Sequence, residues 1–326
     1  MAVAVVGTGS AGLQHLQALK ALDGVRPIAV PIRAARAQEL ARAGHHAAAD
    51  LPEAIRMGAR FCIVATDPGR HLDDALAAMA EGMDVLIEKP LAVDAGRARR
   101  VVEHARAIGR QAFVGCVLRF SDSLVTFRQW LPSVGRLHMI RVVCQSSLPS
   151  WRPARPYRES YSAHADEGGV LRDMIHDIDA AGWLFGWPAN VAAMIRNLGR
   201  LGIASEELAH LLWETKEGAV VSLTLDYLSR PATRGITAYG ERGTVEWNGI
   251  AGTVTLACDG APVREARSAQ MREEMFIAQA RAFIDARRGA LDPRLATADE
   301  GMRALAVCDA ARAASRARAE VPVIYP

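Results

Sequence analysis

The feature that most constrains this chain is a glycine-rich turn close to its first residue. The turn is a GxGxxG pattern made of Gly7, Thr8, Gly9, Ser10, Ala11 and Gly12. It follows an apolar run at residues 3–6 and precedes a segment of helical periodicity. In this context Gly7 permits a tight turn, Gly9 lets a pyrophosphate approach the backbone, and Gly12 lets the helix pack closely on the strand. The pattern predicts a dinucleotide site at a helix N-terminus, and a plain glycine turn is the alternative.

The first third of the chain alternates short apolar runs with segments of helical periodicity. The predicted strands are residues 3–6, 25–30, 61–66, 84–88 and 112–116. The predicted helices are residues 13–22, 34–43, 71–81 and 95–108. Strands that are apolar throughout and separated by helices indicate a parallel sheet covered on both faces. We therefore predict an α/β protein with an N-terminal Rossmann fold, a doubly wound parallel sheet.

The second part of the chain has a different pattern. One helical segment, 170–184, precedes strand-like runs at 207–215, 219–227, 235–239, 243–247 and 253–257. These runs predict a large, open and mostly antiparallel sheet in a C-terminal α+β domain. Helices at 273–288 and 298–317 and a short strand at 321–325 close the chain. We expect a dinucleotide-binding domain over 1–117 and a substrate-binding and oligomerisation domain over 118–326, whose last helix could pack back on the first domain.

Composition and charge exclude several classes of function. The 39 basic and 36 acidic residues nearly balance, and no basic run carries interleaved aromatic residues, so we expect no nucleic-acid partner. Five scattered cysteines without a CxxC pair argue against a disulfide framework or a structural metal site. No apolar stretch reaches the roughly 20 residues that span a bilayer, and residues 1–6 lack a basic n-region. We expect a cytoplasmic protein without a bound metal or a membrane partner.

The end of the second predicted strand bears on the choice of dinucleotide. An NAD site usually has an acidic residue here, which binds the ribose hydroxyls. This chain has Pro31, Ile32 and Arg33 instead. The guanidinium of Arg33 could pair with a 2′-phosphate through its planar fork of donors. The sequence favours NADP over NAD, and an exposed loop arginine is the alternative.

Two further places carry residues suited to proton transfer. Lys89 follows the strand at 84–88, at the sheet edge where such folds bind ligands, and could donate to a substrate oxygen. Asp173 and His176 are three residues apart, so on a continuous helix they project from one face. A carboxylate could hold the imidazole in one tautomer while it exchanges a proton near neutral pH. The alternatives are a solvated lysine and a structural hydrogen bond on the helix.

Together these segments resemble the glucose-fructose oxidoreductase and inositol dehydrogenase family (Gfo/Idh/MocA) of NAD(P)-dependent sugar dehydrogenases. The resemblance spans nearly the whole chain. It rests on the glycine turn, Thr66 with Pro68 and His71, Glu88 with Lys89 and Pro90, the Asp173 and His176 segment, and the run 239–247.

The resemblance implies a site and an assembly. The family's active site matches Lys89, Asp173 and His176, with the histidine as acid/base, and Thr66, Pro68, His71 and Glu88 match positions beside the cofactor. The second domain of the family pairs subunits through an open sheet. The resemblance therefore implies a homodimer or homotetramer that binds a small carbohydrate.

A narrower resemblance concerns the substrate. The segments that carry it include Arg119, Trp151 with Arg152, Arg158 and Tyr161, and they are similar to a bacterial subgroup associated with surface-polysaccharide pathways. Arginines in these segments could bind a carboxylate or phosphate while the aromatic rings stack on a sugar. Surface arginines packed on aromatic rings are the alternative.

The resulting functional hypothesis is an oxidoreductase that moves hydride between a nicotinamide and a hydroxyl or keto carbon of a sugar or sugar acid. His176 would be the acid/base, Asp173 its orienting partner and Lys89 the group at the substrate oxygen. A non-catalytic dinucleotide-binding regulator and an NAD-dependent glycosidase of the same family are the competing hypotheses.

Overall fold

The computed structural model describes residues 1–33, 35–153 and 156–326. Its contacts divide the chain into two compact units: Met1–Phe120 with Met271–Met302, and Ser121–Gln270 with Arg303–Pro326. The predicted boundary at 117/118 lies three residues from the first division, and residues 271–302 cluster with the first unit.

The helices and strands are numbered here in chain order. The helices are α1 (Ser10–Lys20), α2 (Ala35–Arg42), α3 (Leu51–Arg56), α4 (His71–Ala80), α5 (Ala95–Ala107), α6 (Asp122–Trp130), α7 (Val170–Asp173), α8 (Ile175–Phe185), α9 (Arg272–Ala286) and α10 (Ala298–Ala317). The strands are β1 (Ala2–Val6), β2 (Arg26–Val30), β3 (His46–Ala47), β4 (Ala59–Val64), β5 (Asp84–Ile87), β6 (Ala112–Val114), β7 (Leu137–Gln145), β8 (Asn190–Arg196), β9 (Leu208–Glu214), β10 (Val220–Asp226), β11 (Thr233–Gly240), β12 (Gly243–Asn248), β13 (Thr253–Cys258), β14 (Arg264–Arg267) and β15 (Val321–Pro322).

The first unit is built on a parallel sheet. In the described part of the chain its strand order is β3-β2-β1-β4-β5-β6, with β1 paired to both β2 and β4. This is the order of a dinucleotide-binding doubly wound fold, whose ligands bind at the carboxyl ends of the strands. The strand order confirms the predicted fold class. The sequence predicts it because parallel strands that are buried on both faces must be covered by helices.

Helix α9 belongs to the core of the first unit although it follows the second sheet in the chain. Its Phe283 packs edge-on against Phe61, with ring centroids 5.6 Å apart, and against Phe113, at 6.1 Å. Leu16 and Leu19 of α1 lie in the same buried cluster. The apolar faces of α1 and α9 therefore cover the parallel sheet together.

The second unit is built on an open sheet with one buried face. Its strand order is β14-β13-β12-β11-β7-β10-β9-β8-β15 among the described residues, and β7 pairs with β10 in parallel while the other pairs for which a register is given in this sheet are antiparallel. Residues such as Leu211, Leu223 and Val245 alternate inward and are fully buried. Met194 and Leu212 alternate to the other face and are exposed. One face therefore packs on helices while the other carries apolar side chains in contact with solvent.

The set of elements differs from the predicted one. The structure adds the helices α3 and α6 and the strands β3, β7, β8 and β14, and β7 lies at the centre of the second sheet. The predicted helix 170–184 is interrupted at Met174, which separates α7 from α8. The predicted helix 34–43 includes Ala34, which lies outside the described residues.

Candidate active site

The glycine turn between β1 and α1 combines close packing with open space. Gly7 has φ +90°, and a Cβ added to it would overlap the backbone of Ala65. A Cβ on Gly12 would overlap the carbonyl oxygen of Gly7. A Cβ on Gly9 would meet no described atom within 4 Å, and both Gly9 and Ser10 are exposed. The backbone is therefore bare at the position where the sequence predicts a pyrophosphate.

The start of α1 is suited to an anion. Its N-cap is Gly9, which has no side chain to accept from the first-turn N–H groups, and its first turn contains no acidic residue. Thr8 is buried and Ala11 is half-buried beside this turn. Uncapped N–H groups at the positive end of the helix macrodipole bind phosphate, so these residues fit a dinucleotide.

Arg33 follows β2 at the same edge of the parallel sheet. It is exposed, and the next residue, Ala34, lies outside the described part of the chain. Its carbonyl oxygen accepts the backbone N–H of Arg36, while the exposed side chain faces water. The position is compatible with both the predicted 2′-phosphate contact and an exposed loop arginine.

Glu88, at the end of β5, forms a buried pair with a histidine of α1. His15 Nε2 lies 2.7 Å from Glu88 Oε1, and Glu88 Oε2 accepts the backbone N–H of Lys89 at 3.2 Å. Burial by itself would raise the pKa of Glu88, but the hydrogen bond from His15 and the charges of His15, Lys89 and His71 outweigh it and lower that pKa. No local sequence pattern pointed to His15, because its partner Glu88 lies 73 residues away.

The predicted residues Thr66, Pro68 and His71 lie together beside this edge. Thr66 Oγ1 donates to Asp74 at 2.8 Å, and Pro68 begins a short 3₁₀ turn before α4. The ring nitrogens of His71 lie 2.7 Å from the Pro90 carbonyl oxygen and 2.9 Å from that of Thr66. Burial lowers the pKa of His71 more than the carbonyl groups and nearby carboxylates raise it, so the ring is neutral at pH 7 and donates through one nitrogen at a time.

Lys89 is half-buried two residues after the end of β5, and its peptide bond to Pro90 is cis. The first unit therefore brings together the glycine turn, Thr66, His71, Glu88 and Lys89.

Asp173 and His176 lie in the second unit, on either side of a break between two helices. Asp173 ends α7, His176 lies in the first turn of α8, and Met174 between them leaves the helical conformation. The assumption of one continuous helix was therefore wrong, because the chain turns between the two residues. Asp173 is buried whereas His176 is half-buried.

The neighbouring Asp177 has a structural partner. Both of its carboxylate oxygens accept from Arg234, at 3.0 and 2.9 Å. Asp177 thus ties α8 to β11 and leaves Asp173 and His176 as the candidates for chemistry on these helices.

Tyr227 was not among the site residues predicted from the sequence. Its hydroxyl donates to Asp173 Oδ2 at 2.6 Å, and the ring is fully buried. Burial and the charge of Asp173 raise the pKa of Tyr227 well above its ordinary value, so the phenol stays a donor. Its position at the end of a predicted strand gave no indication of this contact, which joins residues 54 positions apart.

The predicted substrate residues of the second unit lie along the segment before α7. Trp151 donates from its indole nitrogen to Ser146 at 2.8 Å and packs edge-on against Tyr227, with centroids 5.5 Å apart. Tyr161 is half-buried, and Arg152 and Arg158 are exposed. The structure thereby links Trp151 to Asp173 through Tyr227.

Arg119 differs from the other predicted substrate residues. It belongs to the first unit, its side chain is fully buried, and Nη1 donates to Glu300 at 2.8 Å. Loss of either partner would leave a charge unpaired in the protein interior, which destabilises a fold. Its predicted substrate contact remains a hypothesis.

The described residues also bear on metal binding and membrane insertion. They contain no group of three or more His, Cys, Asp or Glu side chains able to hold a metal ion. Within the same residues, no helix is both long enough and apolar enough to cross a bilayer.

Comparisons with known proteins identify the family. Residues 1–116 match a family described as "Oxidoreductase family, NAD-binding Rossmann fold" (GFO_IDH_MocA), and residues 132–246 match "GFO/IDH/MocA C-terminal domain". The chain belongs to the Gfo/Idh/MocA family. It is 29% identical to the myo-inositol dehydrogenase Hyg17 of Streptomyces leeuwenhoekii, with 99% of each chain covered.

Solved structures of the Gfo/Idh/MocA fold are also similar. Levoglucosan dehydrogenase in complex with NADH has a TM-score of 0.89 at 18% identity, with 100% of each chain covered. The WlbA dehydrogenase of Bordetella pertussis, in complex with NADH and UDP-GlcNAcA, has a TM-score of 0.84 at 21% identity, with 100% of this chain and 98% of that one covered. The protein is a nicotinamide-dependent dehydrogenase that acts on a CH–OH group.

Proposed function

We propose that the protein moves hydride between a nicotinamide dinucleotide and a hydroxyl or keto carbon of a sugar or sugar-acid derivative. The observation that carries this proposal is the buried Asp173, held by Tyr227 and three residues before the half-buried His176. A fixed carboxylate and a more accessible imidazole are side chains suited to moving one proton. The name of the myo-inositol dehydrogenase relative supports a polyhydroxylated substrate.

The first group of residues would bind the dinucleotide. The dinucleotide, when bound, supplies the hydride chemistry. Gly7, Gly9 and Gly12, with the N–H groups of α1, would hold its phosphates. The remainder of the dinucleotide site would be lined by Thr8, Ser10, Ala11, Arg33, Thr66, Pro68, His71 and Glu88.

The remaining residues act on the substrate. His176 is the proposed acid/base, Asp173 its orienting partner, and Lys89 a further proposed catalytic residue that donates to a substrate oxygen. The proposed substrate contacts are Trp151, Tyr161 and the arginines Arg119, Arg152 and Arg158. We also propose a role for this reaction in surface-polysaccharide metabolism, which the narrower sequence resemblance and the sugar nucleotide named in the WlbA complex support.

NADP is the preferred dinucleotide in this proposal. Arg33 occupies the place of an acidic ribose ligand, and a charged pair with phosphate is stronger than a neutral hydrogen bond. Fluorescence titration should give tighter binding of NADPH than of NADH, and Arg33→Ala should remove the difference. Equal affinities in the wild type that the substitution leaves unchanged would contradict this preference.

A substrate panel tests the proposed function directly. Purified protein is assayed for reduction of NAD and NADP with inositols, neutral sugars and sugar acids, and for the reverse reaction with keto-sugars. We expect dinucleotide turnover with at least one polyol or sugar. Tightly retained dinucleotide that is never consumed while a glycoside is hydrolysed would favour the glycosidase alternative. Dinucleotide binding without any turnover would favour the regulatory one.

A further inference from the structure

The loop at residues 197–202 in the second unit is organised by a buried carboxylate. Glu207 is fully buried, and its two oxygens accept the backbone N–H groups of Leu198 at 2.8 Å, Arg200 at 3.3 Å and Leu201 at 2.7 Å. Three backbone donors satisfy the charge that burial would otherwise penalise. One side chain therefore fixes the path of this loop.

The loop in turn holds the segment that contains Arg158. The carbonyl oxygen of Leu201 accepts from Tyr157 Oη at 3.0 Å and from Arg158 Nε at 2.9 Å. A Cβ on Gly202, which has φ +64°, would lie 3.4 Å from Nε and Nη2 of Arg158, so the guanidinium lies against a position without a side chain. Its carbon is 5.1 Å from the centre of the Tyr157 ring.

Arg158 is thus exposed but restrained on several sides. Its described partners are a carbonyl oxygen, an aromatic ring and a glycine, none of which carries a negative charge. The contact through Nε leaves the end of the planar fork for an oxyanion. An arginine held in place before binding loses less conformational entropy when it binds than a mobile one does.

The same loop connects this segment to the helix that carries Asp173. Ser205 Oγ donates to the Ser162 carbonyl oxygen at 2.6 Å, and the N–H of Val170, the first residue of α7, donates to the Glu206 carbonyl oxygen at 3.1 Å. Glu207 also accepts the backbone N–H of Tyr227 through its own carbonyl oxygen, at 2.9 Å. Residues 197–207 therefore position Arg158 relative to the residues around Asp173.

We propose that Arg158, positioned by Glu207 through this loop, binds an oxyanion of the substrate, either the carboxylate of a sugar acid or the phosphate of a sugar phosphate. The inference rests on the proposed function and makes it more specific, because it distinguishes Arg158 from Arg119, whose charge is already paired with Glu300. Arg158 is a binding residue in this proposal, and Glu207 is a positioning residue.

Calorimetric titration tests the proposal with defined probes. The protein is saturated with NADH and titrated with D-glucose, D-glucuronate and D-glucose 6-phosphate. We expect the wild type to bind at least one of the two anionic sugars about ten-fold more tightly than D-glucose, the size of one charge-assisted hydrogen bond partly exposed to water. The two anionic probes distinguish carboxylate from phosphate.

Three variants separate binding from positioning. Arg158→Gln should remove most of the preference for the anion and leave D-glucose binding within about two-fold. Glu207→Gln should reduce the preference in the same direction but less, with NADH affinity unchanged, and Arg158→Lys should restore part of it. Arg267→Gln, which removes an exposed charge on β14 of the same unit, is the matched control and should have no effect.

Two results would overturn the inference. One is a wild type without preference for either anionic sugar, including one that binds none of the probes. The other is an Arg158→Gln variant that loses D-glucose and the anionic sugar equally. Because Arg158 is exposed, this second result does not depend on whether Glu207→Gln folds. Selective binding of the anion without oxidation by either dinucleotide would count against the proposed function and leave this inference standing.

Discussion

Two buried carboxylates, Glu88 and Asp173, each accept a hydrogen bond from a ring-bearing side chain. His15 lies 2.7 Å from the first, and Tyr227 lies 2.6 Å from the second. Burying a carboxylate is costly unless donors replace water, so each partner both stabilises the fold and fixes the direction of the carboxyl group. At the scale of single residues, the site depends on partners as much as on the residues that would do the chemistry.

Replacing the proposed acid/base should reduce the rate far more than dinucleotide binding. His176→Asn and Lys89→Ala should each lower kcat by roughly a hundred- to ten-thousand-fold, the usual effect of losing a positioned proton donor. NADH affinity should stay within a few-fold of wild type, because the glycine turn is untouched. Steady-state kinetics on a substrate from the panel, with fluorescence titration as the folding control, measures both quantities.

A smaller effect of Asp173→Asn than of His176→Asn on kcat would agree with an orienting role for the carboxylate. Near-normal kcat in His176→Asn would transfer the acid/base role to Lys89.

His71 should make stability depend on pH below neutrality. Its pKa is lowered from 6.5 in the folded protein, mainly by burial, so near and below pH 6.5 the unfolded chain binds a proton that the folded chain does not. Its contribution is therefore present above about pH 6.5 and is lost as the pH falls toward the lower, folded-state value, with a slope of up to about 1.4 kcal/mol per pH unit. Urea unfolding of wild type and His71→Asn between pH 5 and pH 8 should show a shallower slope in the variant.

The exposed His138 supplies the control for that measurement. His138→Asn should keep the wild-type slope. A His71→Asn variant with the wild-type slope would mean that another group takes up the proton.

At the scale of elements, two glycines in the turn between β1 and α1 are expected to serve different purposes, Gly12 in folding and Gly9 in dinucleotide binding. A Cβ on Gly12 would overlap the Gly7 carbonyl oxygen, whereas a Cβ on Gly9 would meet no described atom within 4 Å. Gly12→Ala should therefore lower the free energy of unfolding by roughly 1–3 kcal/mol, as overpacking does. Gly9→Ala should keep wild-type stability but weaken NADH binding, because the methyl group occupies the space meant for the pyrophosphate.

Thermal unfolding and NADH titration of the two variants give the comparison directly. A Gly9→Ala variant that binds NADH as tightly as the wild type does would contradict the predicted position of the pyrophosphate at this turn.

At the scale of the whole molecule, the open face of the second sheet carries exposed apolar side chains. Met194 and Leu212 are 57% and 44% exposed there, on neighbouring strands. Apolar side chains gathered on one sheet face favour association with a second copy. We expect a dimer or tetramer at micromolar concentration by light scattering, and the pair Met194→Arg with Leu212→Arg should shift the mass toward the monomer.

Ile250→Arg is the control for the oligomer prediction. Ile250 is also exposed, at 63%, but lies between β12 and β13 rather than within a strand of the face. A wild-type protein that stays monomeric at these concentrations would contradict the proposed assembly.

The sequence by itself determined the parts of this protein that depend on local spacing. Apolar strands, helical periods and the GxGxxG turn predicted the first sheet and its ligand edge, because side-chain direction repeats every two or 3.6 residues. Contacts between distant residues were decided only in the tertiary structure. The partners of Asp173, Glu88 and Arg119 lie 54, 73 and 181 positions away along the chain. No local pattern encodes such pairs, since the folding of the backbone brings them together.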